Sequence, residues 1–338
     1  MTKLAKLAEA NGYTIKLLSD VLEIKYTTLI SMGKRNKFTN EVIQKLATTI
    51  GVSTREIEEA LKKGPVNPFI KWVGGKRQLL PELLKYMPQN FETYYEPFIG
   101  GGALFLRVAP ERAIINDYNE ELINTWRMVE QNPSDLIKSV SQHAANDSRE
   151  YYLSLRMADR DGRIAKMSNL ERASRFIYMN KAGYNGLWRV NSKGQNNVPW
   201  GAHKKVNIPT NEITNVSEYI RENDVKILQG DYRNIIDSVT TNDFVYFDPP
   251  YIPVTPTSAF TSYTKNGFGK IQQEELRDVA LTLSKKGAKV MLSNADVPLI
   301  EKLYTDPIFK IHHVRAKRMI NSNGLKRGKV GEVIITTY

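Results

Sequence analysis

Residues 1–63 carry apolar side chains at the spacing of helices, with polar residues between them. This pattern predicts four short helices, over residues 17–22, 26–30, 41–50 and from residue 54 onward. Ser53 is placed to cap the last of them. The segment contains neither Trp nor Pro. We therefore expect a small all-helical domain at residues 1–63.

The pattern of apolar positions changes after residue 63. Gly and Pro break the helical periodicity at residues 64–68, which we interpret as a linker. Further along, short apolar runs end in acidic or turn residues, and helical patterns lie between them. Strands are predicted at residues 113–117, 245–247, 288–292 and 331–338, and helices at 171–180 and 272–283. We expect a second, α/β domain at residues 69–338.

Charge narrows the class of partner. Lys and Arg number 48 against 36 Asp and Glu, for a formal net charge of +12. Such a balance favours a polyanionic partner and suggests nucleic acid, although a merely basic soluble protein has the same composition. No apolar stretch is long enough to span a bilayer and the start lacks a signal-peptide pattern. The sequence therefore predicts no membrane association and a cytoplasmic protein.

The absence of cysteine removes several kinds of chemistry. With Cys 0, the chain has no disulfides, no thiolate metal sites and no catalytic cysteine. Methylation at carbon 5 of cytosine by its usual route is excluded as well, because that route needs a cysteine nucleophile. The four histidines show no metal-ligand spacing with carboxylates, and we expect no metal site. They are His143, His203, His312 and His313.

The predicted strand at 245–247 ends in the segment Asp248, Pro249, Pro250 and Tyr251. Two prolines stiffen this turn, which presents a carboxylate, a carbonyl and an aromatic ring together. An amino group on a purine or pyrimidine is a poor nucleophile, because its lone pair is delocalised into the ring. Acceptors at Asp248 and the Pro249 carbonyl would draw that lone pair out, while Tyr251 stacks on the base. The alternative is an ordinary proline turn with a solvated Asp.

Two glycine-rich segments precede this turn. Gly74 and Gly75 stand beside Lys76 at a spacing that does not match a P-loop. The second segment runs from a predicted strand that begins at Tyr94 into Gly100, Gly101 and Gly102 and then a predicted helix, as in nucleotide-cofactor loops. An acidic residue such as Asp117, at the end of a strand, commonly binds ribose hydroxyls. A hydride-transfer dehydrogenase accounts for these features but leaves the Asp-Pro-Pro-Tyr turn without a role.

The order of the motifs is more specific than any one of them. KWVGGKR, EPFIGGGALF, IINDYN, QGDY and YFDPPY follow one another along residues 71–251. In this order they resemble the Dam-like family of adenine DNA methyltransferases, closest to its DpnM-type members, over about residues 68–338. The resemblance implies a Rossmann-like S-adenosylmethionine-dependent methyltransferase fold with an inserted target-recognition subdomain. It also implies methylation of the adenine amino group within GATC in double-stranded DNA.

The resemblance assigns cofactor-binding roles to particular residues. Three groups would bind the methionine end of S-adenosylmethionine, form the floor of its pocket, and contact its ribose and adenine. Asp248 would lie beside the transferred methyl group. The residues at the methionine end would be Trp72, Gly74, Gly75 and Lys76. Those of the pocket floor would be Glu96, Phe98, Gly100 and Gly102, and those at the ribose and adenine would be Asp117, Asp231 and Tyr232.

The insert at about residues 133–210 mixes basic, amide and aromatic side chains with turn residues. Arg can bind guanine O6 and N7, and Tyr can wedge into a stack that has lost a base. The resemblance places Tyr184, Asn185, Leu187 and Arg189 in a target-recognition hairpin with Pro199 in its second limb, and Lys71 on the first guanine. Ala202 departs from the family, since Dam has an arginine there. A solvated loop is the alternative for the whole insert.

Three further expectations concern the first 30 residues of the chain and the part that follows Tyr251. The helices around residues 17–30 resemble the helix-turn-helix of phage-repressor-type domains, although an all-helical docking domain is the alternative. A Thr-, Ser- and Gly-rich loop is expected at 252–269. Two strands joined by a basic loop that faces phosphates are expected near the end. The basic residues there are Arg315, Lys317, Arg318, Lys326, Arg327 and Lys329.

Three alternatives for function and two questions about partners stay open from sequence alone. The chain could be a DNA-binding regulator with a degenerate enzyme domain, or it could methylate the cytosine amino group or RNA. A cognate restriction endonuclease is a possible partner. The sequence does not determine the oligomeric state.

Overall fold

The chain divides into two compact units, Met1–Pro65 and Val66–Tyr338, which we call unit 1 and unit 2. The basic loop expected around residues 321–324, and most of the loop expected at 252–269, lie outside the described residues. The computed structural model describes residues 2–35, 38–61, 66–251, 268–317 and 329–338.

Unit 1 is helical throughout its described residues. Threonine side chains at the N-termini of its first, second and fourth helices accept hydrogen bonds from backbone N–H groups, and Ser53 caps the fifth. The apolar positions predicted from sequence form a buried core that includes Leu18, Leu29 and Leu46. The helices are α1 (Lys3–Ala10), α2 (Ile15–Val21), α3 (Tyr26–Arg35), α4 (Asn40–Ile50) and α5 (Thr54–Leu61).

Unit 2 is built on a seven-stranded sheet in the order β3-β2-β1-β4-β5-β7-β6. The first five strands in this order are parallel, and β7 runs antiparallel between β5 and β6. The predicted α/β, Rossmann-like fold class is therefore confirmed. The strands are β1 (Tyr94–Glu96), β2 (Arg112–Asp117), β3 (Asp224–Gln229), β4 (Phe244–Phe247), β5 (Lys289–Ala295), β6 (Lys310–Lys317) and β7 (Lys329–Thr336).

Helices cover both faces of the central strands, so β1 and β4 are buried along their whole length. One face packs mainly on helices that precede β4, and the other on helices that follow it. The helices are α6 (Leu80–Tyr86), α7 (Ala103–Val108), α8 (Glu120–Gln131), α9 (Pro133–Ala145), α10 (Arg149–Met157), α11 (Asn169–Ala182), α12 (Thr210–Glu222), α13 (Lys270–Lys285) and α14 (Pro298–Leu303).

The predicted insert contains α9, α10, α11 and the segment that leads to α12. Helix α11 begins with a capping box in which Ser168 and Glu171 each bond the other's backbone N–H. Strand β5 extends to Ala295, so Ser293 and Asn294 lie inside it and do not follow it as the sequence pattern predicts.

The strand order reverses at β1, whose neighbours β2 and β4 come later in the chain on opposite sides. Ligands of open α/β sheets bind beyond the carboxyl ends of the strands at such a switch point. The segments that follow β1, β2 and β4 are therefore the expected position of a ligand site. None of the helices in the described ranges is both long and apolar enough to cross a membrane.

Candidate active site

Asp248 is the first residue after β4, and its carboxylate is held on one oxygen. Lys76 Nζ lies 2.8 Å from Oδ1. The Ser293 hydroxyl on β5 donates to the same Oδ1 at 2.9 Å and is itself 2.9 Å from the Tyr246 hydroxyl. Burial raises the pKa of Asp248, and Lys76 and Ser293 oppose that rise by stabilising its charge. The carboxylate is thus oriented by neighbours on other segments.

Lys76 is a buried cation at the start of a short 3-10 helix, Lys76–Gln78, and its side chain is only 7% exposed. It donates to the Gly74 carbonyl at 2.8 Å and lies 4.4 Å from the centre of the Tyr251 ring. Burial disfavours its charge, but Asp248, Tyr246 and Glu332 together outweigh this and raise the pKa of Lys76. The glycine segment and the Asp-Pro-Pro-Tyr turn therefore meet through Lys76.

The proline turn is fixed from two sides. The Tyr251 hydroxyl donates to Glu332 Oε2 on β7 at 2.9 Å. The Pro250 carbonyl accepts a hydrogen bond from Gln273 Nε2 on α13 at 3.1 Å, and Asn294 donates to Gln273 at 2.9 Å. Gln273 and Asn294 are fully buried. These bonds lock the turn beyond what its prolines alone impose.

The loop after β1 needs glycine at two positions. Gly100 has φ 47° and Gly102 has φ 66°, a region that L side chains rarely adopt. A Cβ at Gly100 would lie 2.6 Å from Trp72, and one at Gly102 would lie 2.8 Å from Trp126. Trp126 also donates to the Gly100 carbonyl at 3.1 Å. Two tryptophans therefore pack directly against the loop backbone.

Glu96 ends β1 and is buried beneath this loop. It accepts hydrogen bonds from the Tyr94 hydroxyl at 2.5 Å and from the Phe105 N–H at the start of α7 at 3.1 Å. Burial raises the pKa of Glu96 to about 8, and the charge of nearby Asp248 adds to the rise. Glu96 is thus electrostatically coupled to the Asp248 and Lys76 pair.

Asp117 ends β2 and organises the same loop. Its two oxygens accept the N–H groups of Gly100 at 3.0 Å and Asn119 at 2.9 Å. A carboxylate has about four lone-pair sites, so Asp117 can also accept a ligand hydroxyl. Burial raises the pKa of Asp117 to about 6. The neighbouring Asn116 amide donates to the carbonyls of Pro97 and Gly230, so the segments after β1, β2 and β3 converge here.

Aromatic rings form one wall near these segments. Phe98 and Tyr232 have ring centres 5.1 Å apart, and Phe268 lies 5.8 Å from Phe98. The buried Asn116 Oδ1 and the Tyr232 hydroxyl have no hydrogen-bond partner among the described residues. Asp231 is partly exposed and pairs with the Arg233 guanidinium at 2.8 Å, which lowers the pKa of Asp231.

Lys71 and the start of the predicted recognition segment lie together. The buried Asn180 side chain at the end of α11 accepts from the Lys71 N–H at 3.1 Å and donates to its carbonyl at 2.8 Å. Lys71 Nζ donates to the Asn185 carbonyl at 2.6 Å. Burial lowers the pKa of nearby Lys181 to about 8, with Arg77 and Lys71 adding to the effect. Asn180 is a site residue that sequence reasoning missed.

The recognition segment is a small hairpin. The Tyr184 N–H donates to the Pro199 carbonyl at 2.9 Å, and Arg189 Nε donates to Asn197 Oδ1 at 2.7 Å. Trp188 anchors the hairpin, with its ring centre 4.1 Å from that of Phe176 on α11. Tyr184 is 56% exposed. Asn185 and Arg189 are also exposed, whereas Leu187 is half-buried.

The fold also makes one cluster that sequence spacing does not show. His313 on β6 has Nδ1 3.2 Å from Asp296 Oδ2 and lies beside Glu301, with the three ligand atoms within 4.8 Å of one another. All three residues are exposed, and we assign no metal to them.

The structure brings the predicted residues together in two groups. Lys76, Asp248 and Tyr251 meet directly, and Glu96 interacts with them electrostatically. Lys71 meets the hairpin. Ser293, Gln273 and Glu332 were not predicted, because β5, α13 and β7 reach the turn only after the sheet assembles. Ordinary Ser, Gln and Glu residues at these positions carry no local signal.

Comparison with known proteins identifies the family of the chain. A family model described as "D12 class N6 adenine-specific DNA methyltransferase" matches residues 72–320. The Type II methyltransferase M1.LlaDCHI of Lactococcus lactis subsp. cremoris is 50% identical over 281 residues, which cover 82% of this chain and 98% of the relative. The Type II methyltransferase M.MjaIII of Methanocaldococcus jannaschii is 39% identical over 292 residues, covering 81% and 99%.

The DNA adenine methylase of Haemophilus influenzae is 35% identical over 272 residues, which cover 79% of this chain and 92% of the relative. The predicted family and enzyme class are thereby confirmed: the chain belongs to the D12 class of N6 adenine-specific DNA methyltransferases.

Proposed function

We propose that this enzyme transfers the methyl group of S-adenosylmethionine to the adenine amino group within GATC, on an adenine flipped out of duplex DNA. The observation that carries this proposal is the position of Asp248. It follows β4 directly, next to the glycine loop after β1, and its Oδ1 is held by Lys76 and Ser293. A positioned acceptor and a cofactor-type loop thus share one edge of the sheet.

Asp248 and the Pro249 carbonyl act as the two acceptors for the adenine amino group. Because both contacts to Asp248 engage Oδ1, we assign Oδ2 to one amino N–H and the Pro249 carbonyl to the other. Tyr251, held by Glu332, stacks on the base. The base must leave the helical stack because its amino group is otherwise out of reach. Preorganised acceptors lower the barrier without reorganisation during the reaction.

The residues around the glycine loop suit S-adenosylmethionine. Asp117 has lone pairs left for ribose hydroxyls, Phe98 and Tyr232 offer rings to an adenine, and two buried polar atoms lack partners among the described residues. When bound, S-adenosylmethionine supplies an electrophilic methyl group. Trp72, Gly74, Gly75 and Lys76 would hold its methionine end, Glu96 and Gly102 its floor, and Asp231 its adenine.

Specificity for GATC rests on Lys71 and the hairpin. Lys71 Nζ lies 2.6 Å from the Asn185 carbonyl, so the two predicted base contacts share one surface. Tyr184 is exposed and suited to fill the space left by the flipped base. Two relatives are named Type II methyltransferases, and we propose a cognate restriction endonuclease as a partner in the cell.

Replacement of the acceptor tests the proposal. Asp248→Ala should abolish methyl transfer while S-adenosylmethionine still binds, because the amino group loses its main acceptor. The measurement is tritium transfer from labelled cofactor to duplex DNA, alongside calorimetric cofactor binding. Asp237→Ala, an exposed carboxylate near the site, is the control and should keep full activity. Methylation of DNA at an ordinary rate by Asp248→Ala would refute the assignment.

The same assay separates the remaining alternatives. A DNA-binding regulator with a degenerate enzyme domain would show no transfer in the unaltered chain. Nucleoside analysis of the labelled product distinguishes N6-methyladenine from N4-methylcytosine, and parallel assays on RNA test that substrate. The partly buried, oriented Asp248 and the loop that accepts only glycine beside Trp72 and Trp126 favour an active enzyme.

A further inference from the structure

Unit 1 contains a feature that the methylation reaction does not use. Helices α2 and α3 are joined by the four residues 22–25 and pack on each other through the buried side chains of Leu18, Leu22 and Leu29. The small Ser19 on α2 is also buried, at 2% exposure, so the second helix can approach closely. This is the layout of a helix-turn-helix.

The turn between the helices has an unusual backbone. Glu23 has φ 57°, in the left-handed region that normally favours glycine. The N–H of Ile24, the next residue, donates to the Ser19 carbonyl at 3.0 Å and closes the end of α2. Ile24 then packs on the core of unit 1. The strained residue therefore sets the direction in which α3 leaves the turn.

The outer surface at the start of α3 is polar and accessible. Lys25, Tyr26, Thr27 and Thr28 form a continuous exposed run, and Tyr26 is 46% exposed. Lys can bind guanine O6 and N7, a Thr hydroxyl can bond either kind of base edge, and its methyl group can contact thymine. In helix-turn-helix domains these first residues of the second helix lie against base edges in the major groove.

The residues that the methyltransferase family model matches do not include this feature. The family model begins at residue 72, and the Lactococcus lactis relative is covered over 98% of its length by only 82% of this chain. The residues that the family model matches therefore do not include unit 1. Its function can be separate from recognition of the methylated sequence.

We propose that unit 1 is a second, sequence-specific site for duplex DNA, in which Lys25, Tyr26, Thr27 and Thr28 read a short sequence other than GATC in the major groove. The site lies on unit 1 alone and does not depend on the methylation chemistry. It gives the enzyme a preference among DNA molecules that carry the same GATC site.

Binding-site selection on the full chain tests this proposal. Random duplexes that lack GATC should yield one enriched sequence motif. The triple variant Lys25→Ala/Thr27→Ala/Thr28→Ala should bind that motif about 10-fold to 100-fold more weakly in fluorescence anisotropy, because base contacts are lost. The same variant should methylate a short GATC duplex at the normal rate, since unit 2 is unchanged.

Matched variants make the outcome decisive. Gln44→Ala/Lys45→Ala/Thr48→Ala alters three exposed residues of α4 and should leave motif binding intact. Asp248→Ala should bind the motif normally even though it does not methylate, which separates this proposal from the proposed function. Selection of no motif, equal binding by the α3 triple variant, or equal loss in the α4 variant would each overturn the proposal and favour a protein-docking role.

Discussion

Ser293 shows how a single hydroxyl can orient the carboxylate that we propose as the acceptor, Asp248. It links the buried Tyr246 hydroxyl to Asp248 Oδ1, with 2.9 Å on each side. A hydrogen bond to a charged group contributes about 1.5–3 kcal/mol. Because the bond favours the ionised form, it also holds the pKa of Asp248 below the value that burial alone would set. In the proposed mechanism Ser293 is a positioning residue, since it would act on the substrate only through Asp248.

Ser293→Ala should slow the single-turnover methylation rate by about 10-fold to 100-fold, which is the kinetic equivalent of one charged hydrogen bond. The acidic limb of its pH profile should move to higher pH, because Asp248 then gains its proton more easily. Tyr246→Phe, which removes only the outer hydroxyl, should show a smaller effect in the same direction. A slow variant with an unshifted pH profile would indicate a packing defect instead.

The proposed function assigns base recognition to the hairpin at residues 184–199. Its stem is tied to α11 by the contact of Trp188 with Phe176, and Arg189 is held by Asn197. A guanidinium fixed in this way can present its donors to one base without losing further conformational freedom. The tip around Lys193 is exposed and lies beyond this bonded part. Arg189 and Lys193 should therefore make different kinds of contact with DNA.

Arg189→Ala should relax discrimination at one guanine of the site by about 1–3 kcal/mol. Lys193→Ala is the matched control and should weaken binding equally on all sequences, with a smaller salt dependence, as expected of a phosphate contact. The measurement is kcat/KM on GATC and on duplexes with one substituted base pair. Equal losses of Arg189→Ala on every duplex would mark Arg189 as a phosphate contact.

At the scale of the molecule, buried carboxylates make stability depend on pH. Glu96 has its pKa raised from 4.5 to about 8 by burial. Between these values the folded protein keeps a proton that the unfolded chain has lost, so the free energy of unfolding falls as pH rises. Asp117 acts in the same direction, between 3.8 and about 6. Above pH 6, Glu96 is the larger of these two contributions.

Glu96→Gln should make the free energy of unfolding less dependent on pH. Between pH 6.5 and 7.5 the free energy of unfolding of the unaltered protein should fall by up to about 1.4 kcal/mol per pH unit relative to the variant. The reason is that one proton is linked to unfolding. Urea unfolding followed by tryptophan fluorescence measures this in unit 2, because residues 1–63 contain no Trp. Parallel pH dependences of the two proteins would show that Glu96 is ionised in the folded state.

Much of the fold follows from local patterns in the chain. The helix predicted at residues 41–50 is found at Asn40–Ile50, and the strand predicted at 113–117 at Arg112–Asp117. Local signals suffice here because periodicity and caps act within a few residues. The length of β5 was predicted less well, since pairing with β7 extends it through Ser293 and Asn294. Sheet pairing is a long-range effect that a local pattern does not contain.

The sequence by itself determined the family, the α/β class and the identity of the glycine loop and the Asp-Pro-Pro-Tyr turn, because each depends on neighbouring residues in the chain. Only the tertiary structure decided which groups act on them. Lys76 and Asp248 are 172 residues apart in the sequence and yet form an ion pair of 2.8 Å. Asn180 binds Lys71, from which it is separated by 109 residues in the sequence. Each pair joins segments that are distant in the chain and meet only when unit 2 folds, which no local pattern specifies.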